Sequence, residues 1–375
     1  MNNKKYIIIS GEYSGDIYGS MLIRELKQLN DNSQFWGVGG ENMKNQNVTM
    51  LADMKDLSII GFTASILKIK KLKQIMENIC LEIKKINPDH IILIDFPGFN
   101  LSLAKKIKKN SNVPISFFIS PTIWAWGSKR INYVKQFIDQ MLVIFPFEEN
   151  YYKERGYNQV KFVGHPFFDR IQKYNKEEIK NELGIDGHLP FIGLFPGSRM
   201  TELEKHMPIF LKSVNTLLKK DPKYQFGIGL SSNFNKSDFK NQFKINDNIM
   251  IYSGDPFKLL MCSDITIATS GTITLESSFM LTPCIVVYKL SFISWLLAKC
   301  LLKTEYISMT NILLNKPLLK EFVQYNATPQ KIVNSILLYM QNKKEIEEEL
   351  KEVLEIYNNG HNAIQNASEL IYNYE

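Results

Sequence analysis

Short apolar runs recur along this chain, and most of them are followed by a turn of small residues and then by an amphipathic segment. Examples of these runs are Tyr6–Ser10, His90–Ile94, Phe191–Phe195 and Ile265–Ala268. A continuous apolar run bounded by turn residues is typical of a strand that is buried on both faces. Strands that alternate with helices in this way predict an α/β fold in which the sheets are mostly parallel.

The alternation occurs in both halves of the 375-residue chain, which is long enough for two domains of ordinary size. We therefore predict two Rossmann-like domains that face each other across a cleft. Their expected extents are 1–168 and 169–345, followed by a helical segment at 346–375. The polar stretch Gln172–Leu189 is expected to lie between the two sheets and to be helical itself.

The charge balance is moderately basic, with 45 Lys and Arg against 38 Asp and Glu and a formal net charge of +7. That excess suits an anionic substrate or an anionic membrane surface, and it is too small to indicate nucleic acid. No nucleic-acid motif is present. The four cysteines form no CxxC pair and the five histidines form no HExxH-type cluster. We expect free thiols in a reducing cytosol, and neither a metal nor another cofactor.

We expect no membrane-spanning helix. The N-terminal apolar stretch is interrupted at Gly11 and Glu12, too early for a signal peptide. The strongest candidate span, Phe279–Leu302, contains a proline and two lysines. A strand at Cys284–Tyr288 followed by an amphipathic helix at Phe292–Leu302 explains it better.

A strand, a tight turn and a helix are predicted within Ser263–Lys289. The turn at Ser270, Gly271 and Thr272 would place backbone N–H groups at a helix N-terminus, where the helix dipole favours phosphate. Glu276 lies about one turn into that helix, where its carboxylate could accept hydrogen bonds from ribose hydroxyls. An ordinary strand–helix connection with an exposed Glu276 fits this stretch equally well.

A second phosphate-type loop, Pro196–Arg199, follows the apolar run Phe191–Phe195. It combines small residues, among them Ser198, with Arg199, whose guanidinium can bind two phosphate oxygens at once. The better phosphate features therefore lie in the second half of the chain. This distribution predicts a nucleotide held by the C-terminal domain and an acceptor held by the N-terminal domain.

Asp95 stands where the apolar run His90–Ile94 ends. Open α/β sheets bind ligands at the carboxyl ends of their strands, so Asp95 suits a general base or a hydroxyl-binding group. The alternative is a cap for the next helix, although Asn100 or Ser102 could serve that purpose.

The first strand is followed by SGEYSGDIYGS, where Glu12, Ser14 and Asp16 could line a polar pocket. The spacing is not GxGxxG, so glycines that merely serve the turn fit as well. Further on, Leu57–Met76 mixes apolar residues with four lysines. Such a helix either lies on anionic lipid or packs on the core with a solvated lysine face, and composition alone favours the core.

The motifs of this chain resemble those of the lipid-A-disaccharide synthase family. In chain order they are SGEYSGD, GVGG, IDFPGFN, SPTIWAW, FPFE, FVGHP, PGSR, SGTITLE and the run Tyr306–Asn311. The resemblance extends from about Ile7 to Val323, and SPTIWAW together with FVGHP and PGSR is its most specific part.

The resemblance implies a GT-B fold and an inverting hexosyltransferase that needs no metal. The donor would be UDP-2,3-diacylglucosamine and the acceptor 2,3-diacylglucosamine 1-phosphate (lipid X), giving the β-1,6-linked lipid A disaccharide 1-phosphate and UDP. It also implies a cytoplasmic enzyme, peripheral on the inner membrane of a Gram-negative bacterium. Because both substrates would be acylated, the resemblance favours a Leu57–Met76 helix that lies on anionic lipid over one that packs on the core. The C-terminal helices are expected to pack back on the N-terminal domain or to be exchanged in a homodimer.

The resemblance also assigns roles to residues. It implies that Asp95 is the general base and that Arg199 binds the UDP diphosphate. It places Glu12 and Asp16 in the loop that faces the cleft. The residues that it assigns to the nucleotide pocket or its surroundings are Ser198, Ser270, Gly271, Thr272, Glu276 and Asn311.

Two positions depart from the family pattern. Gly98 stands where IDxPDFN has a second acidic residue, so this motif supplies no neighbouring carboxylate to share the role of Asp95. Gly127 replaces the Gln or Arg that often follows SPxxWAW. Both changes concern the acceptor side and leave the expected donor site intact.

Three other functions fit parts of the sequence. A UDP-GlcNAc 2-epimerase would share the fold and the UDP site without needing a surface for acyl chains. A nucleotide-sugar-binding or membrane-scaffold protein would have no catalytic need for Asp95 and Arg199. A dehydrogenase fits poorly, because no GxGxxG with a downstream acidic residue is present.

Overall fold

The computed structural model describes residues 3–57, 66–125, 127–171, 174–231, 234–291, 295, 304–357 and 362–374. The chain forms two compact units. The first contains Met1–Gln172 and Tyr357–Glu375, and the second contains Lys173–Ile356. Each unit is built around one parallel sheet with its own hydrophobic core.

The first unit has a seven-stranded sheet. Its strands are β1 (Lys5–Ser10), β2 (Gln34–Gly39), β3 (Thr49–Asp53), β4 (His90–Ile94), β5 (Ile115–Phe118), β6 (Gln140–Val143) and β7 (Val160–Phe162). Their order in the sheet is β3-β2-β1-β4-β5-β6-β7, and every pair is parallel. The central strands are buried on both faces, because helices cover both sides of a parallel sheet.

The helices of this unit follow its strands. They are α1 (Tyr13–Leu29), α2 (Glu41–Lys44), α3 (Met54–Leu57), α4 (Ile66–Ile86), α5 (Pro97–Lys108), α6 (Ile131–Phe137), α7 (Pro146–Lys153) and α8 (Phe167–Ile171), with a 3₁₀ turn at Ser128–Arg130. The basic segment predicted at Leu57–Met76 includes residues 58–65, which lie outside the described residues. Its described parts belong to α3 and α4.

The second unit has a six-stranded parallel sheet in the order β10-β9-β8-β11-β12-β13. Its strands are β8 (Phe191–Phe195), β9 (Gln225–Gly229), β10 (Ile249–Tyr252), β11 (Ile265–Ala268), β12 (Cys284–Tyr288) and β13 (Glu321–Val323). Its helices are α9 (Lys176–Leu183), α10 (Met200–Lys220), α11 (Lys236–Phe243), α12 (Pro256–Cys262), α13 (Thr272–Phe279), α14 (Met309–Leu314), α15 (Pro329–Gln341) and α16 (Lys343–Glu355), with a 3₁₀ turn at Gln324–Asn326. The predicted strand Cys284–Tyr288 is confirmed, whereas the helix expected at 292–302 lies almost wholly outside the described residues.

The last helix, α17 (Ala363–Tyr372), packs on α1 and belongs to the first unit. Asp169 accepts a hydrogen bond from the backbone N–H of Ile364 at 2.8 Å, and the side chain of Asn366 donates to the carbonyl of Val163 at 3.0 Å. The expected return of C-terminal helices to the first domain is therefore confirmed for α17. The preceding helix α16 packs instead in the second unit, where Leu350 is part of the core.

Candidate active site

Each sheet contains a point at which its strand order reverses. In the first unit β1 and β4 are neighbours and lead into opposite halves of the sheet, and in the second unit β8 and β11 do the same. The loops after such a pair diverge and leave a crevice at the carboxyl edge, where α/β proteins bind ligands. Glu12 and Asp95 follow β1 and β4, and Arg199 and Ser270 follow β8 and β11. The predicted site residues therefore stand at both reversal points.

Asp95 sits in an unusual backbone turn. Asp95 and Phe96 both have left-handed conformations, with φ of +46° and +49°, which cost energy for residues other than glycine. The amide of Asn100 on α5 supports the turn by donating to the carbonyls of Ile94 at 3.2 Å and Asp95 at 2.7 Å. Gly11 leaves room for it, because a Cβ there would lie 2.4 Å from the Phe96 ring. Neighbouring elements thus hold a strained Asp95 in place.

The surroundings of Asp95 make its carboxyl a weak acid. Burial, together with the negative charge of Glu12, raises the pKa of Asp95 from 3.8 to about 7, and a backbone hydrogen bond at Phe96 opposes the rise. Although position 98 has no carboxylate, the carboxylate of Glu12 on the adjacent loop thus lies within electrostatic reach of Asp95. A carboxyl group with this pKa can take up a proton near neutral pH.

Ser14 and Asp16, the other two candidate residues after β1, differ in their surroundings. Ser14 lies half-buried in the first turn of α1. Asp16 is completely buried and accepts hydrogen bonds from the backbone N–H groups of Gly40, Asn42 and Met43 and from the Asn42 side chain, at 2.6 to 3.1 Å. We expected Asp16 to contact substrate. Its buried, four-fold bonded carboxylate instead fixes the start of α2 against α1.

Glu148, which the sequence did not single out, lies close to the same edge of the first sheet. It is fully buried, and its carboxylate accepts hydrogen bonds from Ser120 at 2.5 Å, Trp124 Nε1 at 3.1 Å and the backbone N–H of Phe145 at 3.2 Å. Burial raises the pKa of Glu148 to about 7. Glu148 thus connects the loop after β5 to the start of α7. Trp126 of the same loop lies outside the described residues.

In the second unit, the loop Pro196–Arg199 is shaped by Glu202. Its carboxylate accepts hydrogen bonds from the backbone N–H groups of Ser198 at 2.9 Å and Arg199 at 3.3 Å. Gly197 has a φ of +115°, and a Cβ there would lie 2.4 Å from the Glu202 carboxylate. Ser198 is exposed, and the side chain of Arg199 is 56% exposed. The loop therefore presents an exposed cation, 3.9 Å from the Glu202 carboxylate, beside a backbone that the same carboxylate fixes.

The loop after β11 lies next to it, because β8 and β11 pair directly. Ser270 donates to the carbonyl of Ile307 at 2.8 Å, while Gly271 and Thr272 are exposed at the N-terminus of α13. Glu276 is only 8% exposed. The exposed Glu276 expected for an ordinary connection is therefore not observed, and the exposed Gly271 and Thr272 leave the N-terminus of α13 accessible to an anion.

Asn311 has a structural position. It is fully buried; its amide donates to the Leu319 carbonyl at 2.9 Å and to Glu321 at 2.8 Å, and its oxygen accepts from the Leu319 N–H at 2.8 Å. Glu321 in turn accepts from the backbone N–H groups of Ile307 and Ser308. We expected Asn311 to be a polar group near the nucleotide. Through Glu321, it instead holds the segment around Ile307, whose carbonyl accepts the hydrogen bond from Ser270.

Among the described residues, no group of three or more His, Cys, Asp or Glu side chains is arranged to hold a metal ion. No described helix combines the length and the apolar character that crossing a membrane requires.

The chain is similar in sequence to one protein family over nearly its whole length. The family described as Lipid-A-disaccharide synthetase matches residues 6–374. A Syntrophus aciditrophicus protein named Lipid-A-disaccharide synthase is 33% identical over 356 residues, which cover 93% of this chain and 92% of that protein. Its namesake from Coxiella burnetii strain CbuG_Q212 is 31% identical over 377 residues, covering 100% and 99%.

Among solved structures, a UDP-GlcNAc 2-epimerase from Neisseria meningitidis bound to UDP-GlcNAc is similar with a TM-score of 0.70. The likeness covers 98% of both chains at 16% sequence identity. At that identity the likeness concerns the fold alone. Together with the two parallel sheets, it confirms the predicted pair of Rossmann-like domains of the GT-B type.

Proposed function

The chain belongs to the lipid-A-disaccharide synthase family and is a glycosyltransferase, and from that premise we propose its substrates and the roles of its residues. The donor is a UDP-sugar, UDP-2,3-diacylglucosamine, and the acceptor is 2,3-diacylglucosamine 1-phosphate. The products are the β-1,6-linked disaccharide 1-phosphate and UDP.

The observation that carries this proposal is the state of Asp95. A carboxyl group with a pKa of about 7, held in a strained turn at a strand end, suits a general base. In the proposed step the 6-hydroxyl oxygen of the acceptor forms a bond to the anomeric carbon of the donor. Its proton passes to Asp95, the bond from the anomeric carbon to the diphosphate oxygen breaks, and UDP leaves with the electron pair. Attack from the face opposite UDP inverts the configuration.

The donor is assigned to the second unit, whose two adjacent loops offer complementary groups. The exposed guanidinium of Arg199 and the hydroxyl of Ser198 would bind the diphosphate, and the N-terminus of α13 at Gly271 and Thr272 would add backbone N–H groups. Negative charge builds up on the diphosphate as the bond breaks, so these groups stabilise the transition state more than the bound substrate. Glu276 would then bind the ribose hydroxyls.

The acyl chains of both substrates require contact with a lipid surface. We propose that the enzyme lies on the cytoplasmic face of the inner membrane through its first unit, where Lys70, Lys71 and Lys73 of α4 are exposed. Lys71 also pairs with Asp56 at 2.6 Å. Cations in such an arrangement are attracted to anionic headgroups, at about 1 kcal/mol for each lysine near the surface.

A direct assay tests the reaction. Purified protein is incubated in detergent with UDP-2,3-diacylglucosamine and lipid X, with and without EDTA, and both UDP and disaccharide are measured. We expect equal amounts of the two products and no effect of EDTA. Turnover of UDP-GlcNAc without any disaccharide would overturn the proposal in favour of an epimerase, and donor binding without turnover would favour a binding protein.

A further inference from the structure

His206 on α10 is completely buried and bonded at both ring nitrogens. Nδ1 lies 3.2 Å from the carbonyl oxygen of Pro196, and the backbone N–H of Lys289 donates to Nε2 at 2.9 Å. A carbonyl only accepts and an amide N–H only donates, so the ring carries its proton on Nδ1 and a lone pair on Nε2. One imidazole thus ties the start of the Pro196–Arg199 loop to the chain just after β12.

The surroundings keep this imidazole neutral. Burial lowers the pKa of His206 to about 4, and the positive charges of Lys205 and Lys289 act in the same direction. The carbonyls of Pro196 and Glu202 favour the protonated ring but do not outweigh burial. Both hydrogen bonds therefore persist at neutral pH, because neither requires a second proton on the ring.

The ring also packs beneath the charged part of the loop. It stacks on Tyr288 with ring centroids 6.0 Å apart and an angle of 25° between the ring planes. Its centroid also lies 6.4 Å from that of the Phe210 ring. Burial and the charge of Glu202 raise the pKa of Tyr288 and the charge of Arg199 lowers it, so Tyr288 lies within electrostatic reach of both side chains. His206 therefore packs on a ring that lies close to the charged groups of the loop.

The loop is thus fixed at two places. Glu202 binds the backbone N–H groups of Ser198 and Arg199, and His206 binds the carbonyl of Pro196 at the other end. A four-residue loop with a left-handed Gly197 at its centre has few contacts of its own that would hold its conformation. Loss of one anchor would let the loop change its conformation and misplace the groups that bind the diphosphate.

We propose that His206 is a positioning residue of the donor site, which presents Ser198 and Arg199 to the UDP diphosphate by bridging Pro196 and Lys289. This inference rests on the proposed function, in which Arg199 binds that diphosphate. His206 itself is buried and does not touch the ligand. Its effect should therefore appear in the affinity for UDP and not only in the stability of the fold.

The test compares UDP binding by calorimetry in four full-length proteins: wild type, His206→Phe, Phe210→Leu and Arg199→Ala. His206→Phe keeps a buried ring against Tyr288 and removes both hydrogen bonds. Phe210→Leu is the matched control, since it weakens packing on the same helix and ring and removes neither of the His206 hydrogen bonds. We expect about a tenfold loss of UDP affinity in His206→Phe and an unchanged affinity in Phe210→Leu, although both melt at lower temperature.

Wild-type affinity in His206→Phe, or an equal loss in Phe210→Leu, would overturn the inference while leaving the donor site in place. Absent UDP binding in the wild type, or full affinity in Arg199→Ala, would overturn the donor site and this inference with it. A second measurement needs no variant. NMR of ¹⁵N-labelled histidine in the wild type should show the Nδ1–H tautomer for His206, and its resonance should shift when UDP is added. The opposite tautomer, or a resonance that UDP does not shift, would refute the proposed link between Pro196 and Lys289.

Discussion

Replacing Asp95 with asparagine should remove most of the activity and yet stabilise the protein above neutral pH. Asparagine has nearly the same shape and tolerates the left-handed backbone found at this position, so the change isolates the charge. The folded protein holds the Asp95 proton more tightly than the unfolded chain, because the pKa rises from 3.8 to about 7 on folding. Ionisation of Asp95 therefore costs stability, and asparagine avoids that cost.

The size of the effect follows from the two pKa values. A rise from 3.8 to about 7 sets a ceiling of about 4 kcal/mol, at 1.36 kcal/mol for each pKa unit. Asp95 is only partly buried, so solvent screening reduces the expected gain to about 1–3 kcal/mol. In a unit of this size, that gain corresponds to a rise in melting temperature of roughly 3–9 °C.

Melting temperatures of wild type and Asp95→Asn measured from pH 5 to 8.5 provide the assay, together with kcat/KM for disaccharide formation. The stability difference should grow as pH rises towards 7 and then level off, because the cost of ionisation appears between the unfolded and folded pKa values. Asp31→Asn, which changes an exposed carboxylate in the same unit, is the control and should show no such trend. A difference that is independent of pH, or an Asp95→Asn enzyme that keeps its rate, would refute the reasoning.

Three further substitutions test neighbouring groups. Glu12→Gln removes a charge that raises the pKa of Asp95, so the acid limb of the kcat/KM profile should move to lower pH, and an unmoved limb would contradict the coupling. Arg199→Ala should weaken UDP binding at least about tenfold in calorimetry, with Arg199→Lys recovering only part of it, because a lysine cannot bind two diphosphate oxygens in the same fork. Asp16→Ala should lower the free energy of unfolding by about 3–5 kcal/mol, since it removes a fully buried carboxylate that accepts four hydrogen bonds. A melting temperature for Asp16→Ala within 2 °C of wild type, about the smallest shift expected for 1 kcal/mol, would argue against its structural role.

The sequence predicts the strands that carry the site, because their residues are apolar without interruption. His90–Ile94 and Phe191–Phe195 are buried along their whole length, which is what a parallel strand between two helical layers requires. Strands β3, β7 and β13 were not predicted. They are edge strands of the two sheets, their apolar runs are at most three residues long, and most of their residues are half-buried or exposed, so no long buried run marks them.

The sequence predicts which residues lie near the candidate site better than it predicts what their side chains contact. A polar residue after a buried strand indicates the carboxyl edge of a sheet, and that rule locates Asp95 and Arg199. The rule does not say which way a side chain turns. Asp16 turns inward to donors 24 to 27 positions away, and His206 accepts a hydrogen bond from a backbone N–H 83 positions away. Such partners are defined only by the tertiary fold, so local sequence could not separate these residues from ligand-binding ones.

The glycine at position 98 acquires a different meaning once the neighbours of Asp95 are known. The family pattern has a second carboxylate there, and its absence suggested that Asp95 works alone. Glu12 already raises the pKa of Asp95 through its charge, and Glu12 follows β1, the strand that pairs with β4. Gly98 is exposed with no atom within 4 Å of where its Cβ would be, so a carboxylate there would face solvent and be screened by it. The pKa of Asp95, the proposed base, therefore depends on the loops after the paired strands more than on position 98.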